Sequence, residues 1–358
     1  MKLFSCPQCS SRLYFENGMC LACGTAVLYD PKQENFVVTG QGGFACTNAL
    51  PAACNWTTES DGGFCRACSL NQTIPDLSIV GNPARWAHTE AAKKRAIYQL
   101  IHFGLDVFPK ADPGDEVGLS FDFLADPIGS GPAGERVLTG HDNGLITLNV
   151  AEADSPEREK MRVAMGEVYR TLLGHFRHEL GHYYWDRLIR DDREWLDRFR
   201  ALFGDETEDY MLALQRHYEG GSKPDWAQSY ISSYAASHPW EDWAETWAHY
   251  LHIYDTLEMV AALNMPLGRL DSVIEHDLPP NEGEFADAAV AVHHGSEPPV
   301  DFDELLTRWL ILCEASNQIN RCMGLPDLYP FVISEPAAEK LRYVHELMTA
   351  TRAAFRPH

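Results

Sequence analysis

The stretch GHFRHELGHYYWDRL, Gly174–Leu188, places His175, His178, Glu179 and His182 within eight consecutive residues. Residues four apart on a helix project from the same side, so the two histidines of the HExxH pattern, His178 and His182, can grip one zinc ion. Glu179 projects about a quarter turn away, where it can take the proton of a water on that ion. His175 lies one turn before His178 and reads as a packing or orienting residue rather than a ligand. Upstream, DSPEREK supplies a helix start: Asp154 or Ser155 as cap, Pro156 in the first turn, and Glu157 and Glu159 at the positive end of the dipole. The spacing predicts one continuous helix from there to about Arg190, with Met165, Tyr169, Leu172, Phe176, Leu180 and Tyr183 on its apolar face.

A hydrolytic zinc site needs a third protein ligand and an open fourth position. No further histidine follows closely, since HELGHYYWDRL continues without one. The other solution is a glutamate on a later helix. SYAASHPWEDWAETWAHYLH, residues 233–252, carries Glu241 and Glu245 one turn apart among Trp240, Trp243, Trp247 and Tyr250. Carboxylates in so aromatic a helix are costly without a cation. Glu241 is read as the ligand and Glu245 as the group that orients His178, with the reverse assignment open. His249 and His252 read as ordinary helix residues, Asp186 as a helix-surface aspartate, and the tryptophan stripe as core. His141 reads as a turn residue ahead of GLITLNV, with Asn143-Gly144 as the turn. LITLNV is the candidate edge strand for pairing with an extended substrate.

Eight of the ten cysteines fall in the first 68 residues. Cys6, Cys9, Cys20 and Cys23 form two CxxC pairs, and each such turn presents two thiolates to one ion. Cys46, Cys54, Cys65 and Cys68 make a second, less regular set. The sets pair sequentially or interleave. Few apolar residues surround them, so metal binding is expected to supply much of the folding energy there. Cys313 and Cys322, in an apolar helical region, read as buried small hydrophobes.

The net charge of −23, from 52 acidic and 29 basic residues, opposes docking on nucleic acid or anionic lipid. The start MKLFSCPQC lacks the apolar core of a signal peptide and no run reaches membrane-spanning length, so a cytoplasmic setting is expected. Helices are predicted from Asn82-Pro83 to Gly104, over 193–202, 206–218 and 240–257, and after Asp301; strands over 117–126 and 144–150 precede most of them.

HExxH followed by a tyrosine seven residues before ExxxE resembles the gluzincin peptidases of the lethal-factor type. That resemblance implies that Tyr234 helps stabilise an oxyanion. The blocks CNW, CRACSLNQTIPDL, HDNGLITLNVAEAD, YRTLLGHFRHELGHYYWDRL, EDWAETWAHYLH and MGLPDLYPF also look like those of a bacterial family of zinc-binding metallopeptidases with an amino-terminal zinc ribbon. The resulting expectation is an α+β chain: a double zinc-ribbon region at 1–75, then a mainly helical zincin-like domain at 76–358 with a small sheet. Three zinc ions are expected, one catalytic and two structural, with a peptide or protein substrate and a protein partner docking on the ribbons. The rival expectation is a non-catalytic zinc scaffold.

Overall fold

In the computed structural model, residues 1–127, 137, 139–265, 267 and 301–355 are described. The chain is α+β, as expected. Three short antiparallel pairs open it: β1 (Phe4–Ser5) with β2 (Arg12–Leu13), β3 (Val27–Asp30) with β4 (Asn35–Val38), and β5 (Phe44–Ala45) with β6 (Thr57–Thr58). These hairpins bring the cysteines together in sequential sets, Cys6/Cys9/Cys20/Cys23 and Cys46/Cys54/Cys65/Cys68. Sulfur–sulfur distances of 3.8 and 3.6 Å in the first set, and 3.6 and 3.7 Å in the second, match the edge of about 3.8 Å for thiolates around zinc. Backbone N–H groups of Gln8 and Cys68 donate to Cys6 and Cys65 Sγ, as knuckle turns do. Both sets therefore fit a closed tetrahedral ion.

The ribbons share one apolar core with the helical region. Phe15 and Tyr29 pack edge-on against Tyr98 of α1 (Asn82–His102), with centroids 5.1 and 5.8 Å apart. Behind the second cysteine set, Cys68 Sγ lies 3.7 Å from Glu90 Oε2, and Glu90 is ion-paired to Lys93 at 2.8 Å. Both side chains of that pair are fully buried. Immediately after Cys68, β7 (Asn71–Thr73) joins the main sheet, whose order is β7-β8-β10-β9, with β8 at Ser120–Leu124, β9 at Gly140–Asp142 and β10 at Leu145–Asn149. β7 and β10 run parallel to β8, and β9 is antiparallel to β10.

β9 and β10 are joined by Asn143 and Gly144, both at positive φ (45° and 80°), a two-residue hairpin turn. A Cβ at Gly144 would meet Gly118 O at 2.3 Å, so the position requires glycine. LITLNV is not an edge strand: β10 is paired on both sides, and β9 is the strand beside it that ends the sheet among the described residues.

The predicted long helix is two helices, α2 (Ser155–Ala164) and α3 (Leu172–Leu188). Gly166 takes φ 67° and stops α2, and the Thr171 hydroxyl accepts from Gly174 N–H to cap α3. Met165 and Tyr169, expected on the apolar face, are 44% and 39% exposed. Then follow α4 (Arg193–Phe203), α5 (Tyr210–Gly220), α6 (Pro239–Ala262), α7 (Phe302–Cys322) and α8 (Glu335–Phe355). Cys322 is exposed and Cys313 only half-buried, against the expectation that both are buried; α7 turns them partly outward. Trp243 and Trp247 are core residues, as expected. No helix among the described residues is long and apolar enough to cross a membrane.

The site is set by how closely α3 and α6 approach. Gly181, inside HExxH, has no side chain to keep them apart: a Cβ there would stand 3.0 Å from Ala244 Cα. Trp243 Nε1 donates to Gly181 O at 2.7 Å, locking the two helices in register.

Candidate active site

One turn of α3 presents His178 and His182 to the first turns of α6. Ligand atoms of His178, His182 and Glu241 lie within 4.8 Å of one another. His178 Nδ1 is 2.7 Å from Glu245 Oε1, and its Nε2 is 3.0 Å from Glu241 Oε2. His182 Nε2 is 3.5 Å from Glu241 Oε1. Glu245 is held in turn by the Ser232 hydroxyl, which donates to Oε2 at 2.7 Å. Glu241 sits in the first turn of α6, where the helix dipole favours a carboxylate, and His238 caps that helix by accepting from Trp240 N–H.

The oxygens of Glu241 are not equivalent. Tyr210 of α5 donates to Oε1 at 2.6 Å, whereas the buried Oε2 has no hydrogen-bond partner. A buried carboxylate oxygen that lies 3.0 Å from the His178 Nε2 without a hydrogen bond is placed to share a cation with that ring. The charges around these side chains point the same way. Burial pushes the His178 imidazolium down, but Glu241 and Glu245 outweigh it and raise its pKa well above the usual histidine value. Burial raises Glu241, yet His182 and His178 hold it well below the usual carboxylate range. Glu245 stays ionised against its burial, at about 2, through His178. A ring facing a carboxylate at each nitrogen must be doubly protonated or hold a cation at Nε2. The residues fit a divalent ion on His178 Nε2, His182 and Glu241 Oε2, with Glu245 fixing the His178 tautomer.

His178, Glu179, His182 and Glu241 line a cleft of about 260 Å³ together with Thr139, Gly140, His141, Tyr210, Tyr234 and Trp240. A larger cavity, of about 750 Å³, lies by Arg85 and Asp154 and contains none of these groups, so volume does not mark the chemistry here. The Tyr234 ring stands 6.0 Å from that of His178, and burial raises its hydroxyl well above the usual pKa, so it stays a donor. Asp186 also lines the cleft, its carboxylate 3.4 Å from Arg190. His249 bonds to Tyr329 OH, and His252 to Arg177.

Glu179 Oε1 lies 3.3 Å from His175 Nε2, and His175 Nδ1 lies 2.8 Å from Glu152 Oε2. Arg170 and Thr139 complete the bonding of Glu152. Sequence reasoning missed Glu152, Tyr210, Ser232 and the cleft position of His141. Burial lowers His141, as does the neighbouring His182, to about 4, so its ring is neutral.

Burial pushes His175 down, but Glu152 and Glu179 raise it to about 9, well above its unfolded value near 6.5. Its stabilising contribution is therefore complete below about pH 6.5 and lost as pH rises through about 9. A thermal-melting comparison of the parent protein with His175→Asn should show a gap, on the order of 1–3 kcal/mol, at pH 6 that closes by pH 10. A gap that widens with pH would contradict the charged pair.

Residues 82–347 match the family model described as "Putative zinc-binding metallo-peptidase", and residues 3–79 match a zinc-ribbon domain model. Uncharacterized proteins of Mycobacterium bovis and Mycobacterium tuberculosis are each 40% identical to this chain over 361 residues, covering 100% of it and 98% of their own length. No solved structure matches it.

Proposed function

Because the chain belongs to this family of zinc-binding metallo-peptidases, with a zinc ribbon ahead of the peptidase region, we propose that it is a zinc-dependent peptidase that hydrolyses peptide bonds in the cleft between β9 and α6. His178, His182 and Glu241 are the catalytic metal ligands in this reading, and each cysteine set holds a structural zinc. The observation that carries it is the convergence of His178, His182 and the buried Glu241, whose Oε2 lies 3.0 Å from His178 Nε2 without a hydrogen-bond partner. A zinc ion held there supplies a water of near-neutral pKa and polarises the carbonyl to be attacked.

The protein's own groups do the rest. Glu179 takes the proton from the attacking water as its oxygen bonds to the carbonyl carbon. It returns that proton to the amide nitrogen as the C–N bond breaks. Tyr234 donates a hydrogen bond to the carbonyl oxygen as negative charge grows on it. Tyr210 holds Oε1 of Glu241 and so keeps Oε2 for the ion, while Glu245 keeps the His178 proton on Nδ1. His175, backed by Glu152, holds the Glu179 carboxylate. A reducing, cytoplasmic setting fits cysteines kept as thiolate ligands.

Metal analysis of the full chain is expected to find three zinc ions, matching the three ligand clusters, and two after Glu241→Ala, with both cysteine sets still filled. Two ions in the parent protein, unchanged by that substitution, would remove the site.

A further inference from the structure

One imidazole in the cleft is used by none of these steps. His141 is in β9 and lines the cleft with Tyr234 and Trp240, its ring nearly parallel to that of His182 (centroids 6.3 Å apart, 13° between planes) and edge-on to Tyr183. Its position is fixed by the hairpin. Gly144, held at positive φ because only glycine fits beside Gly118 O, aims its backbone N–H at His141 Nε2, at 2.9 Å. A backbone N–H can only donate, so Nε2 is the acceptor and the proton of the neutral ring is on Nδ1. That Nδ1 has no partner among the described residues. A cleft wall made from a strand, carrying one donor left unpaired, presents a hydrogen bond to whatever acceptor enters.

We infer that His141 binds substrate, its Nδ1–H donating to a main-chain carbonyl oxygen of the peptide lying along β9. The inference rests on the peptidase reading. An extended peptide brings carbonyl acceptors stripped of water into the cleft, and each must find a donor. With Nε2 accepting from Gly144 and only Nδ1 protonated, His141 suits a neutral backbone carbonyl rather than a charged side chain. It makes its bond before and during reaction alike, so its loss raises KM or a dissociation constant and leaves kcat nearly unchanged.

Two substitutions separate this role from a merely structural one. His141→Asn would place an amide donor where Nδ1 was and lose the acceptor for Gly144, whereas His141→Gln keeps an acceptor for Gly144 and has no donor at the Nδ1 position. Calorimetry on the zinc-loaded full chain, with a peptidyl hydroxamate and with acetohydroxamate, reads the difference.

The parent protein and His141→Asn should bind the peptidyl probe with affinities within a few-fold of each other, and His141→Gln about tenfold more weakly. All three should bind acetohydroxamate, which has no peptide carbonyl to offer, equally well. Binding of the peptidyl probe no tighter in His141→Asn than in His141→Gln overturns the inference, since a role in the turn alone predicts the reverse order. If the parent protein binds neither hydroxamate, the peptidase reading itself fails, and this inference with it.

Discussion

Glu179→Gln should leave the zinc content and the melting temperature of the protein essentially unchanged while lowering peptide hydrolysis by roughly 10²–10⁴-fold. The substitution keeps shape and volume at a buried position, and the amide oxygen can still accept from His175, whose Nε2 lies 3.3 Å from the carboxylate. The charge facing His175 is lost too, but Glu152 keeps that ring paired, so the main loss is the capacity to take and return a proton. Glu179 is not one of the three residues whose ligand atoms converge, so the metal should stay. Rates on a mixture of unstructured peptides, with zinc measured on the same samples, check both halves. Unchanged turnover would take the base role from Glu179, and loss of one zinc would make it a ligand. A parent protein that holds three zinc ions and cleaves nothing in the mixture would favour the non-catalytic scaffold.

The parts of this site that could be read in the sequence are those whose geometry is local. His178 and His182, and Glu241 and Glu245, are four apart on helices, so the period of one helix is enough to put each pair on one face. The cysteine pairs are equally local. What escaped depends on where distant elements meet. Tyr210 reaches Glu241 from another helix, and Glu152 reaches His175 from the turn after β10, with no periodic pattern to announce either contact. Glycine was ambiguous for the same reason. Gly166 adopts positive φ and ends α2, while Gly181 stays helical because α6 passes against it, and nothing in the neighbouring residues tells the two apart. Glu90 and Lys93 are charged residues within the helix predicted from Asn82-Pro83, with nothing local to show that they face inward. They are buried as a pair beside Cys68.

That pair leads to the second large effect, Cys54→Ser. The second cysteine set is wholly buried, whereas Cys9 and Cys23 of the first are exposed. Behind the second set the contacts run inward without a gap. Cys68 meets Glu90, Asn71 Nδ2 donates to Glu90 Oε1, and β7, which begins at Asn71, pairs with β8. Phe121 and Phe123 of β8 pack edge-on against Phe176 of α3, two residues before His178, at 5.7 and 6.2 Å. A structural zinc contributes on the order of 10 kcal/mol to the fold that encloses it. Losing it here removes the support under the sheet and the active-site helix as well as under the ribbon. Cys54→Ser should therefore melt in a single transition on the order of 10 °C or more below the parent protein, with the catalytic zinc lost along with the structural one. Cys23→Ser, at the exposed edge of the first set, should cost less and leave the catalytic zinc in place. Calorimetry with metal analysis decides the matter. Two separate transitions, with Cys54→Ser moving only the lower and the catalytic zinc retained, would mean that the ribbon folds and fails by itself and that the buried Glu90–Lys93 contact carries no coupling to the cleft.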